Sequence, residues 1–155
     1  MCEIPKRPSY KDVIDIPLLE LATELESEHF GTRSGIFDDL KSCVSQDMNG
    51  YKLAKDLERS CGWSIDCALV ERLDSIDCYY LLEEATKRWV IENNIQLPKK
   101  IGNVVSFWEQ GVKITGEVTW LHQETAEYTV FCESEGHVRE GSGTHGYIIM
   151  MEDIL

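Results

Sequence analysis

The sequence lacks the features that would place the protein in a membrane or mark it as secreted. None of its apolar runs approaches the ~18 residues that a membrane span requires, and residues 1–10 lack the apolar centre of a signal peptide. It also contains no Cys-x-x-Cys pair, so its six cysteines do not show zinc-finger spacing. These absences predict a soluble, cytoplasmic protein with free thiols at Cys2, Cys43, Cys61, Cys67, Cys78 and Cys132.

Positive charge is scarce, above all in the last third of the chain. The protein has 15 lysines and arginines against 28 acidic residues, which gives a net charge of −13. Residues 101–155 contain only Lys113 and Arg139 as basic residues, but nine acidic ones. Such a surface repels nucleic-acid phosphates, whose binding needs lysine and arginine, and it attracts basic proteins. We therefore expect a basic protein partner and no direct nucleic-acid binding, although acidity also serves solubility.

No catalytic motif is present, and the sequence predicts neither an enzyme nor a cofactor. A nucleophile needs an oriented base nearby, and the histidines are scattered. The Gly-rich segment 136–146 is the one alternative location for chemistry, because it carries His137 and His145 and follows Cys132. Thiolate and imidazole are ligands that zinc accepts, but these three residues lie at unpatterned spacings. A metal-dependent or enzymatic module centred on this loop stays open as an alternative.

Apolar spacing is helical before residue 97. The apolar set from Leu18 to Leu25 predicts a helix that begins after an Asp15 cap, ends near His29 and is followed by a break at residues 31–35. Asn49 and Gly62 predict the start and the end of another helix. Similar spacing predicts helices over residues 36–45, from Ser64 or Asp66 to Leu73, and from Ser75 to residue 93. Short connections between such helices favour an antiparallel bundle.

From residue 102 onward, apolar and polar residues alternate instead. Strands are predicted over residues 104–108, 112–120, 128–132 and 147–150, with a polar loop over residues 133–146 and a final helical turn at residues 152–155. The alternation predicts that Val104, Ile114, Val118, Trp120, Tyr128 and Val130 are buried. Four or five short strands in ~55 residues suit a small, strongly bent barrel.

The segments 101–108 (IGNVVSFW) and 113–118 (KITGEV) resemble the start of an SH3-like barrel of the KOW or Tudor type. Gly116 matches the glycine that such folds use where a strand bends sharply. The resemblance implies a small binding module and no activity. Together with the spacing, it predicts an α+β protein, with a bundle of about five helices over residues 1–97 and an SH3-like β-barrel over residues 98–155.

These observations favour a non-enzymatic acidic binding protein. Phage and mobile-element inhibitors that present carboxylates to nucleic-acid-handling proteins offer an analogy, and a structural subunit of a larger assembly is a further alternative. Trp108, beside a predicted turn, is the tryptophan expected to be exposed. The residues expected to contact a partner are Trp108, Glu109, Glu124, Glu127, Glu133, Glu135, Arg139 and Glu140.

Overall fold

The computed structural model describes residues 5–28, 31–135 and 146–155, together with the backbone of residues 139–140 and 143–144. Within this part of the chain, helices come first and a curled four-stranded antiparallel sheet follows, which confirms the α+β class. The SH3-like identity of the sheet stays a prediction. None of the described helices is long and apolar enough to cross a membrane.

The chain divides into two compact units, which we call the helical unit (residues 7–85) and the sheet unit (residues 86–155 with residues 1–6). The division falls inside one helix, between Ala85 and Thr86, whereas the sequence pattern predicts a boundary after Leu97. The predicted boundary after Leu97 stays a prediction, which the folding of isolated fragments can test.

Side chains that cap helix N-termini determine where most helices of the helical unit begin. The oxygens of Thr32, Asn49, Asp66 and Asp77 accept backbone N–H groups of residues three positions ahead, at 3.3, 2.9, 2.8 and 2.9 Å. Gly62, at φ 72°, ends a helix in the left-handed conformation. The helices are α1 (Tyr10–Val13), α2 (Asp15–Ser27), α3 (Arg33–Cys43), α4 (Gly50–Cys61), α5 (Cys67–Asp74) and α6 (Cys78–Glu92).

Two local predictions for this unit are wrong. Asp15 is the first residue of α2 and not its cap, because the short helix α1 leads directly into α2 through Ile14. The segment 31–35 is not a break throughout, since Thr32 caps α3 and its first turn runs through Gly35. The buried face is nevertheless as predicted for α2, and its members are Leu18, Leu21, Ala22 and Leu25.

The sheet unit is built from β1 (Val104–Glu109), β2 (Val112–His122), β3 (Glu127–Phe131) and β6 (Tyr147–Met150), in the order β1-β2-β3-β6. Gln110 and Gly111, both at positive φ, form the two-residue turn between β1 and β2. The strands bury one face, made of Val105, Phe107, Ile114, Val118, Tyr128, Val130, Cys132 and Ile149. Ile114, Val118, Tyr128 and Val130 were predicted to be buried and are.

Val104 and Trp120 were also predicted to be buried, but they are 71% and 59% exposed. Val104 precedes the buried Val105, so alternation itself places it on the outer face. Trp120 is exposed because β2 contains a bulge between Val118 and Trp120, where the pairing with β3 shifts by one residue. An extra residue in one strand reverses the face of everything that follows it.

The segment between β3 and β6 contains more structure than the predicted polar loop. A 3-10 turn spans Glu133–Glu135, and β4 (Arg139–Glu140) pairs with β5 (Gly143–Thr144) in a small separate ladder. After β6, a second 3-10 turn covers Met151–Asp153, close to the predicted final helical turn. The predicted metal candidates His137 and His145 lie outside the described residues.

Candidate functional site

The outer face of the sheet displays an apolar row that crosses three strands. Trp120 pairs with Thr129, and Thr129 pairs with Ile148, so the three side chains share the outer face. Trp120 is 59% exposed and Ile148 65% exposed. Two residues farther along each strand, on the same face, His122 pairs with Glu127, and Glu127 pairs with Met150, which is 45% exposed. We call these six residues the Trp120 surface: Trp120, His122, Glu127, Thr129, Ile148 and Met150.

Hydrogen bonds hold the polar members of the Trp120 surface in place. His122 Nε2 lies 2.8 Å from the Thr129 hydroxyl, and the Thr125 hydroxyl donates to Glu127 Oε2 at 2.8 Å. At the bulge, the Thr119 hydroxyl donates to the Thr129 carbonyl oxygen at 3.3 Å. This last bond joins β2 to β3 at the bulge, directly before the position where the Trp120 indole faces outward.

The arrangement is suited to binding a protein surface. An exposed tryptophan beside aliphatic side chains offers a large contact area with little rotamer entropy to lose, and such residues are enriched among interface hot spots. Soluble proteins rarely expose contiguous apolar patches without a binding role. The Glu127 carboxylate places a negative charge at the border of the row.

The acidic residues predicted to contact a partner divide between opposite ends of the sheet. Glu124 is exposed in the turn between β2 and β3, and Glu127 begins β3, so both lie at the end that carries Met150. Glu109 ends β1, and the exposed Glu133 and Glu135 follow β3, so these lie at the other end. Because β3 spans five residues, and therefore four steps of ~3.4 Å, roughly 14 Å of strand lies between Glu127 and Phe131, after which Glu133 and Glu135 follow.

Tyr147 lies at the end of the sheet where Glu133 and Glu135 follow β3. Partial burial raises the pKa of the Tyr147 hydroxyl, and the negative charges of Glu135 and Glu109 raise it further. Both carboxylates therefore act on the same phenol, whose ring meets Phe107 edge-on with centroids 5.3 Å apart. Glu109 and Glu135 thus form a local negative region, but it is separate from the Trp120 surface.

Trp108 is 59% exposed, as expected, and lies opposite Lys113 at the β1–β2 turn. It is not part of the row, because Lys113 and Trp120 lie seven positions apart along β2. Arg139 and Glu140 form β4, and their side chains lie outside the described residues. Their predicted contacts with a partner stay predictions.

The metal alternative has one described candidate, Cys132. Its side chain is buried, and this burial, with a smaller effect of Glu135, raises the pKa of the thiol. A raised pKa disfavours the thiolate that binds zinc. Over residues 5–28, 31–135 and 146–155, no three His, Cys, Asp or Glu side chains are grouped so as to hold a metal ion.

The helical unit has a groove of about 460 Å³ between α4 and α5. Its walls combine the apolar Ile65 and Val70 with the charged Lys55, Glu58 and Glu71. The sequence carries no local signal for this groove, because its shape depends on how two helices pack.

Sequence reasoning also missed Trp120, Ile148 and Met150 as surface residues. The four-residue run from Tyr147 to Met150 has no polar position that distinguishes its faces, and a bulge has no fixed local sequence signal. No protein-family model, curated protein or solved structure matches this chain.

Proposed function

We propose that this is a non-enzymatic acidic binding protein that engages a basic protein surface through the Trp120 surface. The observation that carries the proposal is the row of Trp120, Thr129 and Ile148, which the register places side by side with both apolar members largely exposed. Structural side chains of this size are normally buried. The row is therefore best explained as one half of an interface.

Charge supports a basic partner. Residues 101–155 contain nine acidic residues and two basic ones, and Glu124 and Glu127 lie at the end of the sheet where Met150 extends the apolar row. Exposed ion pairs contribute only about 0.2–1 kcal/mol each. The carboxylates thus steer the encounter, while burial of the tryptophan supplies most of the affinity.

The proposal extends to the class of target. A basic surface that meets a patterned set of carboxylates is typical of proteins that handle nucleic acids, so we propose inhibition of such a protein, in the manner of phage or mobile-element inhibitors. An SH3-like module as the carrier and a cytoplasmic location belong to the same proposal. Free thiols at five described cysteines support that location.

Affinity capture on the immobilised full chain, at ~50 and ~300 mM salt, identifies the candidate partner by mass spectrometry. The dissociation constant of the purified partner is then measured for the wild type and for Trp120→Ala. A hot-spot tryptophan contributes 2 kcal/mol or more, so we expect the Kd to rise roughly 30-fold or more.

Trp108→Ala is the matched control, because its indole is also 59% exposed on the outer face of the sheet. We expect this variant to change the Kd less than roughly threefold. If Trp120→Ala leaves the Kd unchanged while both variants keep the wild-type melting temperature, the Trp120 surface is not the binding site.

A further inference from the structure

Two cysteines of the helical unit lie close enough to react with each other. The Sγ atoms of Cys43 and Cys61 are 3.9 Å apart, and both side chains are partly buried. Cys43 is the last residue of α3 and Cys61 the last residue of α4. The pair is independent of the Trp120 surface and of the proposed function.

The packing of α3 against α4 explains why the sulfurs meet. Leu40 and Leu57 are fully buried, and each cysteine follows one of them by three or four positions on the same helix face. The Trp63 indole N–H donates to Asp39 Oδ2 at 2.8 Å, so the segment after α4 is bonded to α3 next to the cysteines. The short distance is therefore a product of the core and of a specific tertiary hydrogen bond.

We propose that Cys43 and Cys61 are a reversible oxidation site that forms a disulfide by exchange with a low-molecular-weight disulfide such as oxidised glutathione. One protein thiolate attacks the small disulfide, forms a mixed disulfide and releases one small thiolate. The second protein thiolate then attacks the protein sulfur of that mixed disulfide and releases the other. The two cysteines lose two electrons and two protons, and the small disulfide gains them as two thiols.

The local geometry permits the bond. A disulfide has sulfurs ~2.05 Å apart, so the two Sγ atoms have to approach by about 2 Å. Both residues are helix C-terminal, where side-chain rotation and fraying of the last turn are least restricted. Partial burial, followed by the neighbouring Cys43 thiol, raises the pKa of Cys61. Exchange therefore speeds up as the pH rises, because the thiolate is the attacking species.

The other described cysteines have different surroundings. Cys67 is exposed, while Cys78 and Cys132 are buried. A small disulfide is thus expected to leave a mixed disulfide on Cys67, to leave Cys78 and Cys132 unmodified in the folded protein, and to link Cys43 to Cys61.

The test incubates the full chain with oxidised glutathione, blocks the remaining thiols with N-ethylmaleimide and maps tryptic peptides without reduction. Trypsin places Cys43 in peptide 42–52 and Cys61 in peptide 60–72, which also contains Cys67. We expect these peptides to be joined by one disulfide, which removes two hydrogens, and Cys67 in the same peptide to carry glutathione or N-ethylmaleimide. The joined form should exceed glutathione adducts of Cys43 and Cys61 at least about tenfold, since the neighbouring thiol has a high effective concentration.

Cys67→Ser is the control variant, because it leaves one cysteine in peptide 60–72 and should retain the link. Cys43→Ser should lose the link and accumulate a glutathione adduct on Cys61. Any of three results would overturn the proposal. These are a link that involves Cys67, glutathione adducts without a link in the wild type, and no reaction of Cys43 and Cys61 while Cys67 is modified. In the wild type, fragmentation of the joined peptides between Cys61 and Cys67 shows which sulfur is linked, so this map decides the matter even if a serine variant folds poorly.

Discussion

The helical unit and the sheet unit differ in how their charged residues are distributed along the chain. In the helical unit, Lys41 pairs with Asp15 at 2.7 Å and Arg72 with Glu28 at 2.6 Å, both between different helices or segments. In the sheet unit, the acidic excess is confined to residues 101–155, which contain two basic residues against nine acidic ones; the rest of that unit has five basic residues and two acidic ones. Both units are therefore acidic, with 8 basic against 17 acidic residues in the helical unit and 7 against 11 in the sheet unit. The excess is spread over the helices in the helical unit, whereas in the sheet unit it is concentrated in the segment that forms the strands.

The two units also differ in how they expose apolar side chains. The exposed apolar side chains of the helical unit are spread over three helices: Ile16 and Leu19 on α2, Tyr51 on α4, and Tyr79 and Tyr80 on α6. In the sheet, Trp120 and Ile148 lie in one paired row, on either side of Thr129. Scattered exposure is normal for a soluble protein, whereas a continuous row is typical of a binding surface. This difference is the reason for proposing that the sheet unit binds the partner.

The largest expected effect concerns where the sheet unit begins. Trp89, Val90 and Ile95 pack against the fully buried Ala126, and Gln123 Nε2 donates to the Ile95 carbonyl oxygen at 2.9 Å. A fragment of residues 86–155 should therefore fold, and one of residues 98–155 should lose cooperative unfolding, since losing a buried tryptophan alone costs about 3–5 kcal/mol. Circular dichroism melts and amide chemical-shift dispersion measure this. A cooperative melt of the shorter fragment would instead support the boundary after Leu97.

A glycine substitution in each unit tests whether they unfold separately. A Cβ on Gly116 would lie 2.5 Å from Cys132 Sγ, and one on Gly50 would lie 2.4 Å from the Asp74 backbone nitrogen. We expect Gly116→Ala and Gly50→Ala each to lower the free energy of unfolding by about 2–4 kcal/mol in urea titrations, because neither contact can be relieved cheaply.

The matched control is Gly111→Ala, whose Cβ meets no atom within 4 Å and whose positive φ costs about 1 kcal/mol. If Gly116→Ala and Gly50→Ala lower the midpoint of a single urea transition by the same amount, the two units unfold together. In that case they do not differ in stability.

Charge reversal distinguishes the two ends of the sheet. Glu124→Lys with Glu127→Lys changes the charge by four units at the end that carries Met150. Association with the captured partner should slow roughly tenfold at ~50 mM salt, because steering depends on charges near the contact. Stopped-flow or surface-based kinetics measure the rate. Glu133→Lys with Glu135→Lys makes the same change at the other end and should slow association less than roughly threefold. If this pair slows association more than the first pair does, the binding site lies nearer to Tyr147.

The smallest expected effect concerns Tyr128, which links the sheet to the segment before it. Its hydroxyl accepts the Lys99 backbone N–H at 3.1 Å, and Tyr128→Phe should lower the free energy of unfolding by about 1 kcal/mol. Burial raises the pKa of Tyr128, and the Lys99 bond opposes this only in part.

The sign of the pH effect follows from this shift. Because the folded pKa lies above the unfolded value, the unfolded chain releases the Tyr128 proton first as the pH rises above about 10. The stability contributed by the neutral tyrosine is present below that pH and is lost above it. Alkaline urea titrations should show a shallower decline for Tyr128→Phe than for the wild type.

The helices were predictable where local interactions decide them. Asn49 and Asp66 cap α4 and α5 through bonds to residues three positions ahead, and Gly62 ends α4 as expected. The acidic excess and the exposure of Trp108 could likewise be read from composition and turn position. The start of α3 was misjudged because the Thr32 cap outweighs the low helix propensity of Gly35.

The sequence by itself determined the α+β order, the inward faces of Ile114, Val118, Tyr128 and Val130, and the charge that favours a basic partner. Only the tertiary structure decided that Trp120 faces outward, that Ile148 lies in its row and that Cys43 approaches Cys61. The reason is that helix caps and strand alternation depend on residues a few positions apart. A bulge, a strand register and a meeting of two helix ends depend on pairing between segments that are distant in the chain.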